Sequence, residues 1–254
     1  MKIRAACHVH SDWSYDGSWT ISELASEFGR RGYRVLMMTE HDRGFTPSRV
    51  REHREACRRA SSERILVLPG IEYSDAANTV HVLTWGDIPF VGENVPTSVM
   101  LDAVKRAGGV AVLAHPSRRN AWRCFDPAWS DSLMGIEVWN RKTDGWRPSR
   151  KAANLVAAWR VIPFVGMDFH DRRQMFPLAM SLELEAAATE KSVLACFKSR
   201  RCQPCSFGVA LSRGVLHAGM AALAPFEFGR RSCAWFYRKV SSAQARRLAR
   251  SARA

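Results

Sequence analysis

The chain opens on a short apolar run, Lys2 to Cys7, that ends in His8-Val9-His10. Such a run reads as a buried strand whose last residues leave the core. Side chains alternate between the faces of a strand, so His8 and His10 are expected to point one way and Val9 the other. Two imidazoles side by side at a strand end can grip one metal ion. The same arrangement recurs far downstream, where Val161 to Met167 runs into Asp168-Phe169-His170, again with ligand-type residues at i and i+2. The fold must therefore be one that can bring two distant strand ends to the same place.

The intervening chain supplies a scaffold of alternating strands and helices. Thr20-Ile21-Ser22-Glu23 is a capping box and predicts a helix to about Arg31, ended by Gly32. Tyr33 to Thr39 reads as a strand that delivers Glu40-His41-Asp42, and Pro47 opens an Arg-rich helix to about Ala60. Strands are expected at 65–68, continuing through Pro69-Gly70 to Ile71-Glu72-Tyr73, and at 79–85, which carries His81. A helix over 96–107 precedes a buried strand at 110–114 that runs into His115-Pro116. A strand at 135–139 carries Glu137, followed by a helix over 148–160, strands at 161–166 and 179–184, and a helix over 189–198. Alternation with short connections predicts an α/β protein built on parallel strands, in a number that suits a barrel. Active sites of such folds gather at the C-terminal strand ends. His8, His10, His41, Glu72, His115, Asp168 and His170 all fall at or just past such ends.

Bulk properties narrow the class. A length of 254 residues accommodates one large domain or two small ones, and 46% hydrophobic residues with nine tryptophans predict a packed globular protein. No apolar stretch is long enough to span a bilayer, and the start lacks a secretory pattern, so a cytoplasmic location is expected. Seven scattered cysteines predict reduced thiols, and Cys202-Gln203-Pro204-Cys205 reads as two surface thiols near a helix end. The net charge of +14 favours anionic partners, although an arginine-rich composition accounts for it equally well.

A single histidine at a strand end is usually an ordinary polar group. Six of the eight histidines in equivalent topological positions, with two or three carboxylates, are a different matter. Imidazole and carboxylate donors without thiolates suit Mn, Fe or Zn in a catalytic setting. Some nine donors exceed the needs of one ion and predict two or three divalent ions.

These residues resemble the PHP (polymerase and histidinol phosphatase) domain family. The resemblance rests on His8-x-His10, Asp16, Thr39-Glu40-His41-Asp42, Gly70-Ile71-Glu72, His81, Ala114-His115-Pro116, Gly135-Ile136-Glu137-Val138 and Asp168-x-His170, in the family's order and spacing. It covers about residues 1–206 and leaves 207–254 as a basic helical extension. The resemblance implies a distorted (β/α)7 TIM-like barrel with a metal cluster at its C-terminal rim. It implies a first metal on His8, His10, Glu72 and Asp168, a second on Asp16, His41 and His170, and a third on His81, His115 and bridging Glu72. Glu40 departs from the family's usual Asp, at a position that would aim His41 rather than bind metal. Glu137 is placed beneath the rim by strand parity and left out of the ligands, while His53 and His217 are read as ordinary.

The implied chemistry is phosphoester hydrolysis by a metal-bridged hydroxide held by Glu72, Asp168 and His8. The substrate's phosphate would need arginine forks, for which Arg118 and Arg119 are the prime candidates, followed by Arg43 and Arg141. A small phosphorylated metabolite or nucleotide is the expected substrate. The alternatives are a nuclease and a non-catalytic metal-binding module. No aromatic-basic interleaving predicts a strand-tracking groove.

Overall fold

The alternating pattern becomes two six-stranded sheets with helices packed against them, in a computed structural model that describes residues 1–212, 218–219, 221–230, 232–233 and 235. The opening run forms β1 (Lys2–Val9), followed by α1 (Ile21–Arg30), β2 (Val35–Met38), β3 (Glu40–His41) and α2 (Pro47–Ala60). Next come β4 (Leu66–Leu68), β5 (Gly70–Ser74), β6 (His81–Trp85), α3 (Thr97–Arg106), β7 (Val110–Ala114) and β8 (Gly135–Asn140). The described chain continues through α4 (Arg141–Asp144), α5 (Arg150–Trp159), β9 (Ile162–Gly166), β10 (Leu178–Glu183), α6 (Glu190–Lys198), β11 (Cys202–Ser206) and β12 (Val209–Ala210).

The helix signals act as their chemistry dictates. Thr20 and Glu23 cap α1 reciprocally, and Pro47 occupies the first turn of α2 behind the Thr46 cap. The apolar face of α1 buries Ile21, Leu24, Ala25 and Phe28. Phe28 meets Phe169 edge to face at 5.6 Å, directly next to the residues expected to bind metal. Full burial of such a ring contributes about 1.5–3 kcal/mol.

The sheets have the orders β12-β11-β10-β1-β2-β4 and β3-β5-β6-β7-β8-β9. They are mixed, which corrects the expectation of parallel strands alone. β1, β2 and β4 are parallel, as are β7, β8 and β9, but β10 runs against β1 and β6 runs against both β5 and β7. The cause of the β5–β6 reversal is local, because residues 75–80 are too few for a crossover between parallel strands. Asp75 closes the turn by accepting the N–H groups of Thr79 (2.6 Å) and Val80 (3.0 Å). Strand β11 is a second correction, since Cys202 to Cys205 are expected beside a helix end and form a strand instead. Cys205 is buried and Cys202 half-buried on that strand, so they are not a surface pair beside a helix.

The two sheets meet where β1 and β9 end. Met167 N–H donates to Cys7 O (3.1 Å), Phe169 N–H to His8 O (3.1 Å) and His10 N–H to Phe169 O (2.9 Å). The first and second ligand pairs of the sequence are thereby locked side by side. Beyond residue 212, buried Glu227 accepts the Trp146 N–H at 3.0 Å, which ties the C-terminal segment to the loop after α4. His217 lies outside the described residues. Among the described residues no helix is long and apolar enough to cross a membrane.

Candidate metal centre

Three backbone distortions aim the candidate ligands. His8, His115 and Asp168 have φ of 60°, 24° and 50°, in the left-handed region that residues with a side chain seldom occupy. At His8 the pairing of β1 with β2 slips by one residue, so the strict alternation assumed for the first pair is broken by a bulge. The two rings still face one mouth, with centroids 5.2 Å apart. The reversed β6 matters equally. Because it runs against its neighbours, its first residue, His81, stands opposite Ala114 at the end of β7 and joins the same rim.

All nine candidate ligands converge. Glu72, 1% exposed, is the hub. Its Oε2 lies 3.5 Å from His8 Nε2, 3.3 Å from His10 Nε2 and 3.1 Å from His41 Nδ1. Its Oε1 lies 2.8 Å from His81 Nδ1 and 2.9 Å from His115 Nε2. Asp168 Oδ1 stands 3.7 Å from His8 Nε2, 3.8 Å from His10 Nε2 and 3.3 Å from His170 Nδ1. Asp16 closes the ring, 3.3 Å from His41 Nε2 and 3.1 Å from His170 Nε2. Three sets place one donor atom per residue within 4.8 Å of one another: His10, His41 and His170; His8, Glu72 and His115; and His8, His10 and Asp168. His10 thus groups with His41 and His170 as well as with His8, a different partition from the one the resemblance implies.

Hydrogen bonding around the centre dictates which nitrogens are bare. The Ser14 hydroxyl donates its single proton to Glu40 Oε2 (2.6 Å), so it can only accept from His10 Nδ1 (3.2 Å) and from the His41 N–H (3.0 Å). His10 therefore carries its proton on Nδ1 and turns a lone pair on Nε2 toward Glu72 and Asp168. His8 repeats the arrangement, because Glu137 Oε1 at 2.8 Å can only accept from its Nδ1. Lone pairs of imidazole and carboxylate then face one another across the centre. His8 Nε2, His10 Nε2 and Glu72 Oε2 are buried without a hydrogen-bond partner. Such an arrangement repels itself unless a cation lies between, and these donor types fit divalent Mn, Fe or Zn.

Titration divides the two rings: burial opposes charge on His8, yet Glu137, Asp168 and Glu72 hold its imidazole well above the ordinary value, so its Nε2 gives up a proton when a metal ion binds. Burial and the neighbouring His41 hold His10 down to about 3, the neutral form that a metal ligand requires. Burial opposes charge on His41 too, yet Glu72 and Asp16 hold it up to about 10. Glu72 and Asp168 remain ionised despite burial because imidazoles surround them. The carboxylates demand positive charge, which protons or metal ions can supply.

Second-layer residues are more informative than their sequence suggests. Glu40 is fully buried and, held down to about 2 against burial by His53 and Ser11, anchors Ser14 and through it His10 and His41. His53 is thus a partner of Glu40 (3.7 Å) rather than a bystander. Glu137 touches His8 Nδ1, the His115 N–H (2.7 Å) and Asn140 Nδ2 (2.9 Å). Gly166 makes room for it, since a Cβ there would stand 1.9 Å from Glu137 Oε1.

The four arginines part company. Arg118 lies 3.1 Å from His81 Nε2 and donates to Asn78 O (2.8 Å), at the edge of the centre. Arg119 donates to Ala77 O and Asn78 O and so braces the β5–β6 turn. Arg43 lies 5.5 Å over the exposed Tyr15 ring, which stacks on His41 at 5.0 Å. These two line a cleft of about 350 Å³ with His41, His81, Asn78 and Glu93. Arg141 instead lays its guanidinium over Phe176 at 5.4 Å, and its neighbour Lys142 reaches Asp168 Oδ1 at 3.4 Å. The sequence reading missed Ser14, Tyr15 and Lys142. Only the position of Lys142 just past a strand end could have signalled it.

No family model matches the chain, and no curated protein does. Solved structures do. A two-domain protein from Bacteroides vulgatus containing a predicted PHP-like metal-dependent phosphoesterase superposes with a TM-score of 0.63 at 17% identity, over 81% of this chain and 65% of that one. PsfC from Pseudomonas syringae gives 0.61 at 14% identity, over 82% and 92%. The lesion-specific endonuclease EndoQ from Pyrococcus furiosus gives 0.55 at 12%, over 78% and 56%. The chain spans just under two thirds of the Bacteroides protein. With two mixed sheets whose strand ends converge on one mouth, this chain has the fold of the PHP-like proteins.

Proposed function

We propose that this chain is a metal-dependent phosphoesterase that hydrolyses a small phosphorylated metabolite or nucleotide. The observation that carries the reading is the set of buried, unpartnered donor atoms on His8, His10 and Glu72, whose lone pairs face one another. Two or three divalent ions, Mn, Fe or Zn, would be held by His8, His10, Asp16, His41, Glu72, His81, His115, Asp168 and His170. When bound, such ions supply Lewis acidity at a phosphoryl oxygen and bring the pKa of the attacking water toward neutral. Glu137 and Ser14 keep His8 and His10 in the tautomers that present Nε2. Glu72, Asp168 and His8 form the inner wall where that water would be oriented. Arg118, at the edge of the centre, is the first candidate to meet the phosphate, with Arg43 across the cleft. The same reading takes the two sheets as a distorted (β/α)7 barrel, with residues 1–206 as the domain and 207–254 as its extension.

EndoQ among the similar folds keeps a nuclease in view, but a cleft of about 350 Å³ suits a small ligand better than a strand. A non-catalytic module would have no need for all nine ligand positions to be filled. The test is elemental analysis of the purified chain, then phosphate release from sugar phosphates, amino-alcohol phosphates and nucleotides with Mn. The double replacement His8→Ala and His10→Ala should abolish turnover while circular dichroism shows a folded chain. Turnover equal to that of the parent would refute the assignment.

A further inference from the structure

We propose that the Lys142 ammonium is a resident cation of the centre that competes with one divalent ion for the position bounded by Asp16, Asp168 and His170. The proposal rests on the metal-dependent reading above. Lys142 belongs to the four-residue α4, directly after β8. That turn is anchored to the centre itself. Asn140 Oδ1 accepts the Thr143 N–H (2.9 Å), while Asn140 Nδ2 donates to Glu137 Oε2, the carboxylate that also orients His8. The Asn140 N–H in turn donates to Asp144 Oδ2 at 2.8 Å. The backbone under Lys142 is therefore held in place, and its side chain, 40% exposed, enters the mouth from the solvent side.

Its Nζ stands 3.4 Å from Asp168 Oδ1, 4.0 Å from Asp16 Oδ2 and 3.1–3.2 Å from the ring nitrogens of His170. All three are candidate ligands on one side of the centre. On the other side the Glu72 oxygens are met by imidazoles. A divalent ion and an ammonium within about 4 Å of the same carboxylates repel each other strongly. A lysine on a flexible four-carbon stem can withdraw, at the loss of its ion pairs. An ion held by His8, Glu72 and His115 shares no ligand with Lys142, and the ion at Asp16, Asp168 and His170 binds only by displacing it.

The experiment uses the full chain stripped by chelation and titrated with Mn, with bound metal counted by equilibrium dialysis and elemental analysis. Lys142→Met should bind the last ion about tenfold more tightly than the parent, equivalent to about 1.4 kcal/mol. Lys142→Arg, which keeps the charge, should titrate like the parent. Superimposable curves for the parent and Lys142→Met overturn the proposal. So does a Lys142→Arg curve that follows Lys142→Met, because bulk rather than charge would then control the site. If neither the parent nor Lys142→Met binds Mn, the metal-dependent reading fails and the lysine proposal with it.

Discussion

Replacing Glu137 by Gln separates the orientation of a ligand from its presence. Oε1 accepts from His8 Nδ1 (2.8 Å), and Oε2 accepts from both the His115 N–H (2.7 Å) and Asn140 Nδ2 (2.9 Å). An amide has one acceptor oxygen. Placed toward His115 and Asn140, it satisfies two donors, and its NH2 group then faces His8 Nδ1. His8 must accept there, so its proton moves to Nε2 and blocks the lone pair aimed at Glu72 and Asp168. The opposite orientation sets two donors against the NH2 group and costs about 1–3 kcal/mol for each donor left buried and unpaired. The first orientation should therefore prevail. Loss of a group that orients a metal-binding histidine lowers metal affinity about 10–100-fold. Calorimetric titration of the metal-free variant with Mn should show that loss, with an unfolding midpoint close to the parent's before metal is added. An unchanged affinity would refute the tautomer argument, and with it the assignment of Nε2 as the donor atom of His8.

Two further perturbations follow from the same region. Gly166→Ala places a methyl 1.9 Å from Glu137 Oε1 and 2.7 Å from His8 Cβ, both fully buried, so urea unfolding should show a loss of about 1–3 kcal/mol or more, together with weakened metal binding; a neutral result would mean that β8 and β9 can part there without cost. Burial pushes the Asp144 carboxyl up to about 7, far above its value in an unfolded chain. A raised carboxyl pKa in the folded state means that stability is fully present below pH 4 and is lost as pH rises through 7. Asp144→Asn should remove about 3 kcal/mol of that decline between pH 5 and 8.5, read as the difference in urea unfolding free energy from the parent; parallel pH profiles would exclude a buried neutral acid.

Much of the site was legible in the sequence because its signals are local. His8-x-His10 and Asp168-x-His170 are adjacent pairs at strand ends, and the capping box at Thr20 and Pro47 mark helix starts by backbone chemistry alone. Seven of the nine ligand candidates follow from strand ends, Asp16 and His81 from the family resemblance, and all nine meet. The pairing of β10 against β1 was not legible, because strands far apart in sequence carry the same apolar runs whichever way they run, whereas the β5–β6 reversal is encoded in a connection too short for a crossover. His81, at the front of its strand, is carried to the rim by the reversal of β6.

What only the tertiary structure decided is the direction in which side chains and protons point. Strand parity set Glu137 beneath the rim, but a shift in pairing between Glu137 and Trp139 and the bulge at His8 bring its carboxylate onto His8. Arg141 and Lys142 are neighbours in sequence, yet one lies on Phe176 and the other reaches Asp168, because a helical turn rotates successive residues by about 100°. Composition and spacing named the atoms able to hold a cation. The packing of two sheets, by leaving each hydroxyl and carboxylate a limited number of protons to give or take, chose which lone pairs face the centre.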